Sequence, residues 1–354
     1  MNSTNILVTG AGSPGISGTI YSLRNNYDKR KFKIFTTDMN EEVVGKFLAD
    51  EFIKIPPAKQ ASNYLDAITN ICLRNKIGII VPQNTAELNL LSQHEENFLK
   101  NGIKVLLSSH EAINVANNKH ELMNVCQENN IPVASFYLVE TADDLLRSAK
   151  LLGWPDQKIV IKPPVSNGMR GVRIIDENLD LKEMFYEEKP NSLNIKMKNL
   201  LEVLGENFPS LLVTEYLPGE EYSVDVLRKD NFSIEIPRIR NLVRSGITFN
   251  GSIEKNEEII EYCRILSKQI DLKYCFGFQF KLDAQGTPKI LESNPRIQGT
   301  MIMSTLAGAN IIYNGIKLLL NEEIADMEVD WNYKFFRFWG GIGAGREGLE
   351  SIRF

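Results

Sequence analysis

Residues 290–296 read Ile290-Leu291-Glu292-Ser293-Asn294-Pro295-Arg296. The apolar start predicts a strand over Pro288 to Glu292, and Pro295 cannot continue one. Glu292 and Asn294 are two apart, so in a strand they face the same way. A carboxylate and an amide oxygen on one face suit a hard cation, and Mg²⁺ shares the rest of its shell with phosphates. Gln279, on the preceding strand (Cys275 to Leu282) across the turn at Gln285-Gly286, offers a third oxygen. Arg296, just beyond, suits charge neutralisation on a transferring phosphoryl group. The same letters also describe polar strand-end residues before a proline, so the rest of the chain has to decide between the two.

Upstream, Lys162 closes the apolar strand Ile159-Val160-Ile161. A lysine on such a strand suits phosphate oxygens as a point charge. Ser166-Asn167-Gly168-Met169-Arg170-Gly171 comes next as an N–H-rich loop able to close over phosphates, and Val172 to Ile175 returns as a strand. Lys119 lies within a helix predicted over Ala112 to Asn130. Val213-Thr214-Glu215-Tyr216-Leu217-Pro218-Gly219-Glu220-Glu221 is a strand running into a turn. Its backbone suits an adenine edge, and Glu221 suits ribose hydroxyls. Glu221 to Arg228 and Ser233 to Arg240 alternate with period 2. Arg238 and Arg240 therefore share a strand face, where two guanidiniums can hold a carboxylate or the γ-phosphate; a solvated face fits the pattern too. Helices are predicted over Leu88 to Asn101, over Ile253 to Ile270 and, as one long apolar element, over Thr300 to Leu320.

The first third alternates strands and helices, which predicts a parallel α/β sheet. Ile6-Leu7-Val8-Thr9 leads into Gly10-Ala11-Gly12-Ser13-Pro14-Gly15 and a helix over Ile16 to Leu23. Asp38 ends the next strand, at the separation expected of a ribose-binding acid. This is the case for an NAD(P)-dependent oxidoreductase as the alternative reading; a tight β–α turn fits the same residues. Glycines before a helix equally admit a substrate carboxylate or phosphate at the helix N-terminus, with Gly12 and Ser13 nearest to it.

The 354 residues are 43% hydrophobic and 24% charged with a formal net charge of −5, values of an ordinary globular protein with no electrostatic call for nucleic acid. The start lacks the charged and apolar regions of a signal peptide, and no apolar run reaches membrane-spanning length; a cytoplasmic protein is expected. The four cysteines and three histidines are too scattered for a metal centre or a triad.

Taken in order, these pieces resemble the ATP-grasp superfamily, nearest its carbamoyl-phosphate-synthetase-like and carboxylate–amine ligase members. The resemblance implies an N-terminal parallel α/β (pre-ATP-grasp, Rossmann-like) domain over 1–111, a small lobe over 112–208 and a large α+β lobe with the C-terminal tail over 209–354. It implies that Lys119, Lys162, Ser166, Gly168 and Gly171 bind ATP phosphates, that Glu215, Tyr216 and Leu217 form the adenine hinge, and that Glu221 takes the ribose. Gln279, Glu292 and Asn294 would hold Mg²⁺ or Mn²⁺. Arg296 and Arg240 would serve catalysis, and Gly12, Ser13 and Arg238 the substrate. The implied activity is an ATP-dependent ligase joining a small-molecule carboxylate, activated as an acyl phosphate, to an amine or ammonia; a homodimer is compatible with it. A nucleotide-binding protein without catalysis remains the other reading. Two departures stand against carbamoyl phosphate as product. Only one grasp module is present, and Ile297-Gln298-Gly299-Thr300 comes after Asn-Pro-Arg where a Ser- and Arg-containing run is expected.

Overall fold

The computed structural model describes residues 4–166, 168–187, 192–338, 340–345 and 348–351. Asn167 of the glycine loop and part of the tail after 338 lie outside the described residues. The chain divides into two compact units, one made of Met1–Ala116, Glu221–Gln279 and Ser293–Phe354, the other of Asn117–Glu220 and Phe280–Glu292.

The first unit begins with β1 (Thr4–Thr9), α1 (Ile16–Arg24), β2 (Phe32–Asp38), α2 (Gly45–Leu48), β3 (Glu51–Lys54), α3 (Ala61–Arg74), β4 (Ile79–Val81), α4 (Thr85–Gln93), α5 (Glu95–Lys100), β5 (Lys104–Val105) and α6 (His110–Asn117). Its five strands pair in parallel in the order β3-β2-β1-β4-β5, as the alternating pattern predicts. The order reverses between β1 and β4, which places a crevice at their carboxyl ends. One sheet face packs Leu7, Phe35, Tyr64 and Leu91. The other packs Ile6, Val8 and Ile20 against Leu227, Met303 and Ile312 from the C-terminal half, so the N-terminal sheet shares a core with the later strands of its unit.

The second unit holds α7 (Lys119–Glu128), β6 (Phe136–Thr141), α8 (Ala142–Leu151), β7 (Ile159–Lys162), β8 (Arg173–Ile175), α9 (Leu181–Glu187), β9 (Asn194–Ile195), α10 (Met197–Leu204) and β10 (Asn207–Glu215). Its sheet runs β6-β10-β7-β8-β9, and β7 and β8 form an antiparallel hairpin with Ile161 opposite Arg173. The chain continues through β11 (Glu221–Lys229), β12 (Phe232–Arg244), β13 (Ile247–Ile253), α11 (Glu257–Ile270), β14 (Tyr274–Leu282), β15 (Pro288–Asn294), α12 (Ile302–Leu306), α13 (Ile311–Leu319), β16 (Lys334–Phe336), β17 (Ile342–Gly345) and β18 (Gly348–Ser351). The larger sheet has the order β15-β14-β11-β12-β13-β16; the division between the units falls within β14 and β15.

Three predicted helices come out divided, two of them at an identifiable signal. The stretch from Ala112 splits at Asn118, whose side chain accepts from the backbone of His120 and Glu121 and so caps α7. The run from Leu88 to Asn101 breaks at His94. The long apolar helix over Thr300 to Leu320 is two helices. Gly308 lies between them at φ +99°, with the carbonyl of Glu328 only 2.2 Å from where a Cβ would stand, and Asn310 caps α13 through the Tyr313 N–H. Ile253 ends a strand; the helix predicted from it starts at Glu257, capped by Asn256. β6 and α8 fill a span for which the sequence predicts no element. Among the described residues no helix is long and apolar enough to cross a membrane.

Candidate nucleotide and phosphate site

In the second unit, the cap at Asn118 fixes the start of α7 and thereby Lys119, whose side chain is 5% exposed. Its backbone N–H donates to Pro164 O at 2.9 Å. Its ammonium donates to Ser166 O at 3.2 Å and Ser166 Oγ at 3.4 Å, and lies 3.5 Å from Glu292 Oε2. Lys162, at the end of β7, donates from Nζ to Leu291 O at 3.1 Å. Burial and, next, the charge of Lys119 pull the Lys162 ammonium down to about 8, opposed by Glu292. Two buried lysines thus converge on one carboxylate. The surplus positive charge, in a place where an unpaired charge is costly, fits a multiply charged anion.

The loop from β7 to β8 leaves from this end of the strand. Gly168 and Gly171 adopt φ +63° and +76°, and a Cβ on Gly171 would come within 2.6 Å of Pro163. Gly171 is therefore required both by its dihedral and by contact. At the end of β10, Glu215 N donates to Ser135 O at 3.1 Å. The Glu215 carboxylate accepts from Ser135 N at 3.0 Å and from Lys289 at 2.8 Å. Burial would lower Lys289; its bonds to Glu215 and Asp283 outweigh that and hold it above its ordinary value. The Tyr216 ring faces Lys281 and Lys158, at 5.5 and 5.9 Å from its centroid, and Leu217 is buried. Sequence reading missed Lys289, one of a strand's alternating residues with nothing in its spacing to mark it.

The first unit holds the remaining candidates. Arg240 binds Glu221 Oε1, Gln279 Oε1 (3.4 Å), Thr248 Oγ1 (3.1 Å) and Gly246 O (2.7 Å). Arg238, only 1% exposed, donates from Nη2 to Asp225 Oδ1 at 2.7 Å and Gln298 Oε1 at 2.8 Å, while Ser304 donates to Asp225 Oδ2 at 2.6 Å. The two arginines share a face but have separate partners. Arg296 bridges Asn294 Oδ1 (3.2 Å), Thr85 Oγ1 (3.4 Å) and Ile297 O (2.9 Å). Gln279 and Asn294 belong to this unit and Glu292 to the other. Among the described residues no group of three His, Cys, Asp or Glu side chains could hold a metal.

The glycine loop after β1 is arranged unlike a pyrophosphate cradle. Gly12 N donates to Asp38 Oδ2 at 2.8 Å, so the N–H that would face a dinucleotide faces a carboxylate. A Cβ on Gly15 would sit 3.0 Å from Gly299 Cα, so Gly15 serves close packing onto the segment after Arg296. Ser13 donates its backbone N–H to Gly10 O at 2.8 Å.

Residues 207–335 match the family model described as "ATP-grasp in the biosynthetic pathway with Ter operon". That match assigns residues 207–335 to the ATP-grasp superfamily, a family of ATP-dependent ligases. Residues 6–106 match "PylC-like, N-terminal domain", so the chain combines a PylC-like N-terminal domain with an ATP-grasp region. The carbamoyl phosphate synthase large chain of Clostridium acetobutylicum is 24% identical over 280 residues, covering 75% of this chain and 24% of that protein. The chain spans about a quarter of the length of the curated relatives it matches. An ADP complex of N5-carboxyaminoimidazole ribonucleotide synthetase superposes with a TM-score of 0.68 at 14% identity, over 93% of this chain and 80% of the other. An L-amino acid ligase from Bacillus licheniformis gives 0.64 at 14% identity, over 90% and 75%. At such identities these structures share the fold with this chain.

Proposed function

We propose that the protein is an ATP- and magnesium-dependent carboxylate–amine ligase that forms an amide through an acyl phosphate. The observation that carries this reading is the pair of buried lysines, Lys119 and Lys162, converging on Glu292 beside a glycine loop. Lys119, Lys162 and the N–H groups of the loop around Ser166, Gly168 and Gly171 hold the phosphates. Glu215, Tyr216 and Leu217 line the adenine, and Glu221 accepts from the ribose hydroxyls. Gln279, Glu292 and Asn294 would offer oxygen donors to magnesium, which would neutralise phosphate charge. The three segments 1–111, 112–208 and 209–354 divide the work into acceptor, loop and metal parts.

A substrate carboxylate oxygen attacks the γ-phosphorus; the bond to the β-phosphate oxygen breaks and ADP leaves. An amine or ammonia then attacks the acyl carbon, and inorganic phosphate departs. Positioning and charge neutralisation carry such a transfer, so no nucleophilic side chain is needed. Arg296, held by Asn294 and Thr85, suits the phosphoryl charge. The oxidoreductase reading is disfavoured by Asp38, whose carboxylate takes the Gly12 N–H.

Thermal-shift measurements with ATP plus Mg²⁺ and with NADH test the choice, because a ligand bound by the native state alone raises stability. Stabilisation by ATP–Mg, and ADP release with members of a carboxylate and amine panel, are expected. Stabilisation by NADH alone overturns the proposal.

A further inference from the structure

The register of β11 and β12 sets Tyr222 opposite Ile239, so Glu221 and Arg240 are the next cross-strand pair. β14 is the neighbour of β11 on its other side, and Gln279 lies on it. Glu221, Arg240 and Gln279 therefore come from three adjacent strands of one sheet. On the far side of β12, Arg240 pairs with Gly251, and the register shifts directly afterwards, between Arg240 and Leu242. Such an irregularity bends a strand and re-aims the residues beyond it. Here the hairpin beyond it supplies Gly246 O and Thr248 Oγ1 to the guanidinium. All three guanidinium nitrogens of Arg240 are engaged within the protein, and its side chain is 6% exposed against 28% for Glu221. The carboxylate is the outer member of the pair.

We propose that Arg240 is a positioning residue that ties Glu221 and Gln279 to the β12–β13 hairpin and so sets the affinity for nucleotide and metal without touching either. The proposal rests on the assignment of this site to a nucleotide. A carboxylate has a second oxygen and an amide oxygen a second lone pair, so Glu221 and Gln279 can each serve Arg240 and a ligand together. A planar guanidinium with donors on three nitrogens can fix both side chains at once; an ammonium cannot reproduce that fork.

Calorimetric titration with Mg·ADP, with no acceptor substrate present, tests this. Arg240→Gln is expected to weaken Mg·ADP binding by about tenfold or more and to raise the Mg²⁺ concentration needed for half-saturation. Arg240→Lys should fall between it and wild type. In a Glu221→Gln background, Arg240→Gln should cost less than it does alone, since the tie to the Glu221 carboxylate is already lost and only that to Gln279 remains. An arginine that binds the acceptor would leave binary Mg·ADP affinity at the wild-type value, and that result, or losses that add across the two positions, overturns the proposal. Should Arg240→Gln fail to fold by circular dichroism, Arg240→Lys decides: wild-type affinity for Mg·ADP refutes the positioning role. Absence of Mg·ADP binding to wild type is a separate result, seen before any variant is compared, and removes the nucleotide assignment together with the proposal.

Discussion

Lys119 Nζ lies 3.5 Å from Glu292 Oε2, one residue at the start of a capped helix and the other 173 positions later on a strand. The carboxylate also pulls on Lys162, whose ammonium is otherwise lowered by burial and by Lys119. Two positive groups are thus set against one negative group where little water screens them.

Lys162 should bind anions at a cost in stability. Its folded-state value of about 8 is below the ordinary 10.5. Between those values the unfolded chain keeps a proton that the folded chain has shed, so this lysine's contribution to stability rises with pH from about 8 to 10.5. Lys162→Met should leave urea stability at pH 7 unchanged or higher, weaken Mg·ATP by about tenfold or more, and flatten the alkaline rise. A loss of several kcal/mol at pH 7 would show that the lysine is structural.

Glu292→Gln should lower ADP release by at least about 100-fold, as expected when charge stabilisation at the transferring group is lost. It also leaves Lys119 and Lys162 without their shared carboxylate, costing about 1–3 kcal/mol of ligand-free stability. Mg-free ATP should restore part of that stability. Near-normal ADP release would remove Glu292 from the metal site.

Glu87 lies in the other unit, where Thr9 donates to its Oε2 at 2.7 Å. Burial pushes its carboxyl up to about 7; the Thr9 hydroxyl and Tyr64 oppose this and Asp38 adds to it. With a folded value raised above the ordinary 4.5, the stabilising contribution is complete below 4.5 and is lost as pH rises through 7. Glu87→Gln should therefore melt a few degrees higher than wild type at pH 8, on the scale of about 2–4 °C per kcal/mol, and lose that part of the pH slope. Parallel melting profiles from pH 5 to 8 would place the titration elsewhere.

Gly171→Ala should cost about 1–3 kcal/mol and weaken ATP binding, because a positive φ is joined there by a clash with Pro163. Gly168→Ala, where a Cβ meets only the end of Arg170 at 3.6 Å, should cost about 1 kcal/mol. Equal effects in chemical melts would show that contact with Pro163 adds nothing.

The residues alone disclose local chemistry. Alternation of apolar strands with helices in the first third was enough for a parallel sheet, because strand and helix periods are set by the backbone. The order of lysine, glycine loop and Glu-x-Asn-Pro-Arg was enough for the superfamily. The breaks at Asn118, His94 and Gly308 were not recovered. A capping side chain competes with helical periodicity at Asn118 and a positive-φ glycine at Gly308, where the outcome depends on a carbonyl twenty residues away. Partners across the chain were also out of reach: Lys289 for Glu215, Asp225 for Arg238, and the enclosure of Arg240 by Glu221, Gln279, Gly246 and Thr248. The sequence determined which residues carry charge and which segments form strands, since both depend on side-chain type and short-range spacing. Only the tertiary structure decided which charges neutralise one another, because strand order, register and the bulge after Arg240 bring together groups that no sequence spacing relates.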